Sequence, residues 1–172
     1  TGTTTLTNGI VTIMNADLQI QTISGTPSAS KMFVTNGTGW LKRSFTAGAN
    51  SAFTFPIGDN TATAEYSPFS MTLSANSNAG LFGVKVSNLK HTNNTETDNY
   101  INRYWSFYKG PTITNYTYTA TYTYPVADVV GTQENNFQGQ LWNGTSWLVL
   151  ESSSTNASTH VLSSGTLDQT TG

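Results

Sequence analysis

The chain has 172 residues, a formal net charge of −2, charged side chains at only 9% of positions and no cysteine. These figures exclude disulfide staples and thiolate metal sites, and without clustered Lys and Arg they exclude an interface for a phosphate backbone. No apolar run approaches the roughly 20 residues of a membrane-spanning helix. Polarity comes instead from Thr, Ser and Asn; Thr and the aromatics favour strands, Asn and Gly favour turns, and the composition as a whole is all-β.

Period-2 alternation and turn punctuation divide the chain into short strands. "GIVTIMN" and "DLQIQTI" open it, with Leu18 and Ile20 on one side and Gln19 and Gln21 on the other, and "SGTPSAS" breaks the pattern. "KMFVTNGTGWLKRSF" reads as two strands joined at Asn36-Gly37, a dipeptide that supplies the positive φ angles of a type I′ hairpin. "SAFTFPIGD" is a strand ended by Pro56 and Gly58, and "DNTATAEY" is a loop. "YSPFSMTLS" and "GLFGVKVSNL" read as paired strands across the turn "ANSNAG". After the polar loop "KHTNNTETDN" come "YINRYWSFYKG" and then "NYTYTATYTYPV", whose strict alternation has no helical reading. Tyr116, Tyr118, Tyr122 and Tyr124 point one way there, either into a core or toward a neighbouring copy. "QGQLWNGTSWLVLE" is a hairpin turning at Asn143-Gly144 between Trp142 and Trp147, and "THVLSSGTL" is the last strand.

Five stretches in order resemble the β-rich repeat domains of large secreted and cell-surface Bacteroidetes proteins exported by the type IX system. They are Val34–Arg43 ("VTNGTGWLKR"), Phe55–Gly58 ("FPIG"), Tyr66–Pro68 ("YSP"), Arg103–Trp105 ("RYW") and Trp142–Trp147 ("WNGTSW"). The resemblance implies an extracellular location and a structural or adhesive role between other modules of long chains, and it carries over no catalytic residue. The opening "TGTTTLTNG" reads as a mature product or a piece of something longer, and it shares its texture with the closing "GTLDQTTG".

Chemistry-bearing residues are few. His91 and His160 lie in polar segments outside any nucleophile motif, and no catalytic residue is assigned, so an enzyme is not expected. Asp59, Asn60 and Glu65 in one loop, and Glu96 and Asp98 in another, offer the oxygen donors that calcium takes. The plain alternative is polar turns that need no ion, and no cofactor is otherwise expected. Asn36, Asn93, Asn115, Asn143 and Asn156 begin N-x-S/T sequons, two of them already explained as turns. Trp105, Trp142 and Trp147 either pack a core or edge or form a ledge for sugar rings.

The resulting expectation is one antiparallel β-sandwich over residues 1–172, of Greek-key or jelly-roll type, with roughly 10–12 strands and no major helix. Residues 1–30 are an extension that docks to a neighbour. The expected function is that of a building unit of a bacterial surface fibre, stalk or adhesin, stacked end to end or joined by strand exchange with other copies or tandem domains. Leu6, Ile10, Ile13, Val161 and Leu167, with the tyrosine row, are the self-association residues. The alternative is a carbohydrate-binding module or an accessory domain of a secreted polysaccharide hydrolase, with extracellular polysaccharide as partner. Neither reading involves nucleic acid or insertion into a membrane.

Overall fold

Leu6, Ile13 and Ile20 recur about every seven residues, and each is the buried apolar residue of its own short strand. In the computed structural model, which describes residues 2–169, these strands are β1 (Thr3–Leu6), β2 (Val11–Ile13) and β3 (Leu18–Ile20). The next three, β4 (Thr22–Gly25), β5 (Phe33–Thr35) and β6 (Leu41–Phe45), retrace the same circuit. Each lies parallel to its counterpart, with Thr3 opposite Thr22, Val11 opposite Phe33 and Leu18 opposite Leu41. The chain returns on itself after about twenty residues, so the N-terminal region is two stacked β-coils.

Asn36-Gly37 is therefore not a hairpin turn. β5 and β6 join different sheets, and Gly37 has no positive φ. The glycine is there for close approach: a Cβ on Gly37 would lie 2.0 Å from the Met14 carbonyl oxygen, and one on Gly39 would lie 2.3 Å from that of Ala16. The corner of the second coil thus rests directly on the corner of the first. Gly39 N–H donates to the Met14 carbonyl, Leu18 N–H to that of Trp40, and Trp40 N–H to the Asp17 carboxylate at 2.9 Å.

The remaining strands are β7 (Asn50–Phe55), β8 (Ile57–Asp59), β9 (Glu65–Tyr66), β10 (Phe69–Asn76), β11 (Gly80–Ser87), β12 (Tyr100–Ile101), β13 (Tyr104–Lys109), β14 (Tyr116–Thr123), β15 (Val129–Val130), β16 (Gln140–Trp142), β17 (Trp147–Val149), β18 (Ser154–Asn156) and β19 (Val161–Gln169). The described residues are all-β, in several sheets that are mostly antiparallel with parallel parts in the coils. Pro56, which has no N–H, separates β7 from β8. β7 ends the five-stranded sheet β18-β19-β14-β10-β7, whereas β8 extends the coils in the order β2-β5-β8-β9. "ANSNAG" likewise joins no hairpin: β10 stays in the five-stranded sheet while β11 crosses to the four-stranded sheet β13-β11-β6-β3. Such sheet-switching, with several strands of two or three residues, is why the described residues hold 19 strands where the sequence suggested roughly 10–12. The turn at Asn143-Gly144 is a hairpin, with Gly144 at φ 97° and Trp142 opposite Trp147.

Aromatic side chains of the five-stranded sheet meet those of the four-stranded sheet β13-β11-β6-β3. Tyr122 of β14 meets Trp105 of β13 at 5.3 Å between ring centroids, Tyr116 meets Phe82 at 5.4 Å and Phe69 meets Phe107 at 4.9 Å. Leu6, Ile13 and Ile20 belong to the same apolar cluster, so the opening residues are built into the chain's own core. Tyr122 is buried, Tyr116 and Tyr118 are half-buried, and Tyr124, just past the end of β14, is buried with its hydroxyl donating to Glu134 at 2.8 Å.

Burial raises the ionisation range of these hydroxyls above that of free tyrosine, with Tyr118 and Tyr66 pushed up to about 12 and Tyr116, Tyr122 and Tyr124 also raised. The neutral hydroxyl is the form that the fold favours, so its contribution is complete below about pH 10 and is lost as pH rises toward 12. The urea midpoint should fall across that window, and Tyr118→Phe should flatten part of the fall; a midpoint constant to pH 12 contradicts the packing described.

Candidate functional site

Arginine is almost never fully buried without a partner, and Arg103, at 4% exposure, has two. Its Nε donates to Asp128 Oδ2 and its Nη2 to Glu65 Oε2. Asn88 Nδ2 bridges Glu65 at 3.0 Å and Asp59 at 3.2 Å, and Asp59 accepts from the Thr61 N–H and hydroxyl. Burial raises the Asp59 carboxyl, but the hydrogen bonds from Thr61 and Asn88 and the Arg103 charge outweigh it and hold the group below its usual range. At Asp128 burial dominates, and Arg103 offsets it only in part, so the carboxyl lies above its usual range. The short 3-10 turn Val126–Asp128, β9 and the start of β13 are pinned to one another through this network.

Asp59 and Glu65 thus come together as the spacing suggested, but what bridges them is the neutral Asn88 amide, and the cation on Glu65 is the Arg103 guanidinium, shared with Asp128. Among the described residues no group of three or more His, Asp or Glu side chains is arranged to hold a metal ion. Asn60, Glu96 and Asp98 are exposed. The Asp98 carboxylate takes a hydrogen bond from Thr97, and Lys90 Nζ donates to the Glu96 carbonyl. Trp105 Nε1 donates to the Ser67 carbonyl at 3.2 Å, and Ser67 N–H donates to that of Ile57. Three of the stretches that carry the family resemblance, around Phe55–Gly58, Tyr66–Pro68 and Arg103–Trp105, therefore meet at one place, where their work is structural.

Two surfaces lie outside this network. The first is the open end of the coils. Among the described residues, β1 pairs only with β4, β2 ends its sheet beyond β5, and β3 ends its sheet beyond β6. All three strands of the first coil therefore present an unpaired edge on the side away from the second coil. Their sequences, TTTL, VTI and LQI, contain no charge and no proline. The outer face of β1 carries a hydroxyl ladder, with Thr22 donating to Thr3 at 2.8 Å and Thr5 bonded to Ser24 at 2.8 Å. Leu6 and Ile13 point into the chain's own core and Ile10 is half-buried, while Val11 and Met14 of the same coil are 43% and 60% exposed. At the other terminus β19 is paired on both sides, by β14 and β18, with Val161 and Leu167 half-buried.

The second surface is a groove of about 820 Å³ between β13, the loop after β11 and the segment from Gln133 through the β16–β17 hairpin. Trp105, Trp142 and Trp147, singled out in the sequence, all line it and are all half-buried. The sequence did not single out what joins them. The His91 ring lies 5.0 Å from Trp147, 4.9 Å from Tyr104 and 6.0 Å from Trp142, and Trp147 Nε1 donates to the Asn93 carbonyl at 2.9 Å. His160 lies elsewhere, with Nδ1 2.8 Å from Glu134.

No known protein family, curated protein or solved structure matches this chain.

Replacing Arg103 by Met leaves Glu65 and Asp128 without their shared counter-charge. Loss of one partner of a buried pair costs about 3–5 kcal/mol. Urea unfolding should show that loss, and Arg103→Lys should recover little of it, because an ammonium lacks the planar fork that reaches both carboxylates. A change within about 0.5 kcal/mol would remove Arg103 from this role.

Proposed function

We propose that the chain is a non-enzymatic, extracellular building unit of a bacterial surface structure. It is a β-sandwich entered through two β-coils and joined to its neighbour end to end. The observation that carries this reading is the open coil end: three strand edges, aligned on one side, without the charges, prolines or bulges by which edges are ordinarily blunted. Three short strands of the next unit, in tandem or from a second subunit, one for each sheet, complete the hydrogen bonding of β1, β2 and β3, continue the Thr-Ser hydroxyl ladder and cover Val11 and Met14. With charged residues at 9%, little long-range repulsion opposes such contacts.

The terminal segments act here as acceptors of pairing. Leu6 and Ile13 would have to leave a filled core to act as donated strands, and β19 already has a neighbour on each side. Tyr116 and Tyr122 of the tyrosine row are likewise packed against Phe82 and Trp105, while Tyr118 is half-buried at the groove.

Hydrogen exchange tests the joint in both its tandem and its subunit form. In the isolated unit, the amides of β1–β3 left unpaired by the second coil should exchange rapidly. In native assembled material the same amides should be protected by at least tenfold. Equal, rapid exchange in both would show that the coil end is not a joint.

A further inference from the structure

The groove has a composition that the end-to-end reading does not use. Its walls combine aromatic rings with amide side chains, and the amides of Asn99, Gln138 and Gln140 make no hydrogen bond among the described residues. The indole N–H of Trp142 is also without an acceptor, whereas those of Trp105 and Trp147 are engaged with backbone carbonyls.

We propose that this groove binds a neutral polysaccharide chain. A sugar ring has apolar C–H faces and an equatorial rim of hydroxyls. Half-buried indole and phenol rings match the faces, and free amides match the hydroxyls, since each amide offers both donor and acceptor. An aliphatic occupant, such as a lipid chain or an apolar peptide face, would desolvate those amides and the Trp142 N–H with nothing to pair them, at a cost per group of the order of 1–3 kcal/mol. Charge sets the rest of the choice. Apart from His91, the lining holds one cationic side chain, Arg103, which is buried and already shared between Glu65 and Asp128. Glu96 adds a carboxylate at an exposed position of the lining. Lys90, beside the lining, is engaged by the Glu96 carbonyl and the Tyr100 ring, so an anionic polymer would meet only engaged cations and one like charge. The volume of about 820 Å³ falls in the range of ligand sites and exceeds what a single small sugar fills, which suits a stretch of chain. The His91–Tyr104–Trp142–Trp147 cluster holds the hairpin wall in place, so the rings are set before a ligand arrives.

The test is native gel electrophoresis of the whole chain through gels containing a soluble polysaccharide: hydroxyethylcellulose, galactomannan, laminarin or dextran as neutral polymers, and polygalacturonate as an anionic one. Retardation by at least one neutral polymer and not by polygalacturonate is expected. Trp142→Ala should weaken that retardation at least tenfold. Because Trp142 also packs against Trp147, the double variant Gln138→Ala/Gln140→Ala is the second arm. Both glutamines are exposed and unbonded, so its melting temperature should match the wild type while its binding falls several-fold. No retardation by any neutral polymer, stronger retardation by polygalacturonate, or retardation that both variants keep in full would each overturn the proposal. Because the coil end takes no part in this assay, the outcome is independent of the end-to-end joint.

Discussion

One buried cation organises much of this molecule. Arg103 sits at the start of β13, its partners Glu65 and Asp128 lie far from it in sequence, and Asn88 ties Glu65 to Asp59. A guanidinium can hold two carboxylates at once because its donors form a rigid fork, and removal from water makes each bond strong only while every partner is present. The same arrangement joins the end of the coil stack, through β8 and β9, to the strand that lines the aromatic groove. The network thus anchors the groove strand to the β8–β9 end of the stack, opposite the open edge of β2.

The coils rest on a second constraint, backbone against backbone. Parallel pairing at a spacing of about twenty residues needs corners that stack without side chains between them, and Gly37 and Gly39 provide this against Met14 and Ala16. Stacking uses one edge of each first-coil strand and leaves the other edge free, an asymmetry inherent in any solenoid end. Natural domains ordinarily cap such an end. Here the strands carry threonine, valine, leucine, isoleucine and glutamine, all of them compatible with further pairing.

What the sequence made legible was local. The alternation of "NYTYTATYTY" fixed a strand, and Asn143-Gly144 between two tryptophans fixed a hairpin, because in both cases the neighbouring residues decide the conformation. Asn36-Gly37 misled because a glycine required by positive φ and one required by close contact look alike in a sequence. The parallel pairing was hidden because the two coils share a circuit length but little residue identity. The Leu6, Ile13, Ile20 spacing was its one visible trace. The role of Arg103 was hidden for a different reason: an arginine two residues from a tryptophan reads as an edge residue or a ring-stacking partner, and its carboxylates are distant in the chain. Five of the groove's aromatics, Trp105, Tyr118, Tyr122, Trp142 and Trp147, were visible in sequence, whereas His91, which ties the hairpin to the adjacent loop, stood in a polar run with nothing to distinguish it.

The most direct test of the central claim is cryo-electron microscopy of native assembled material at a resolution that separates strands. The account predicts that density continues across the junction at the coil end, with a further strand about 4.8 Å from each of β1, β2 and β3 and in register with the coils. Units joined elsewhere, with the three edges of the first coil facing solvent, would contradict it.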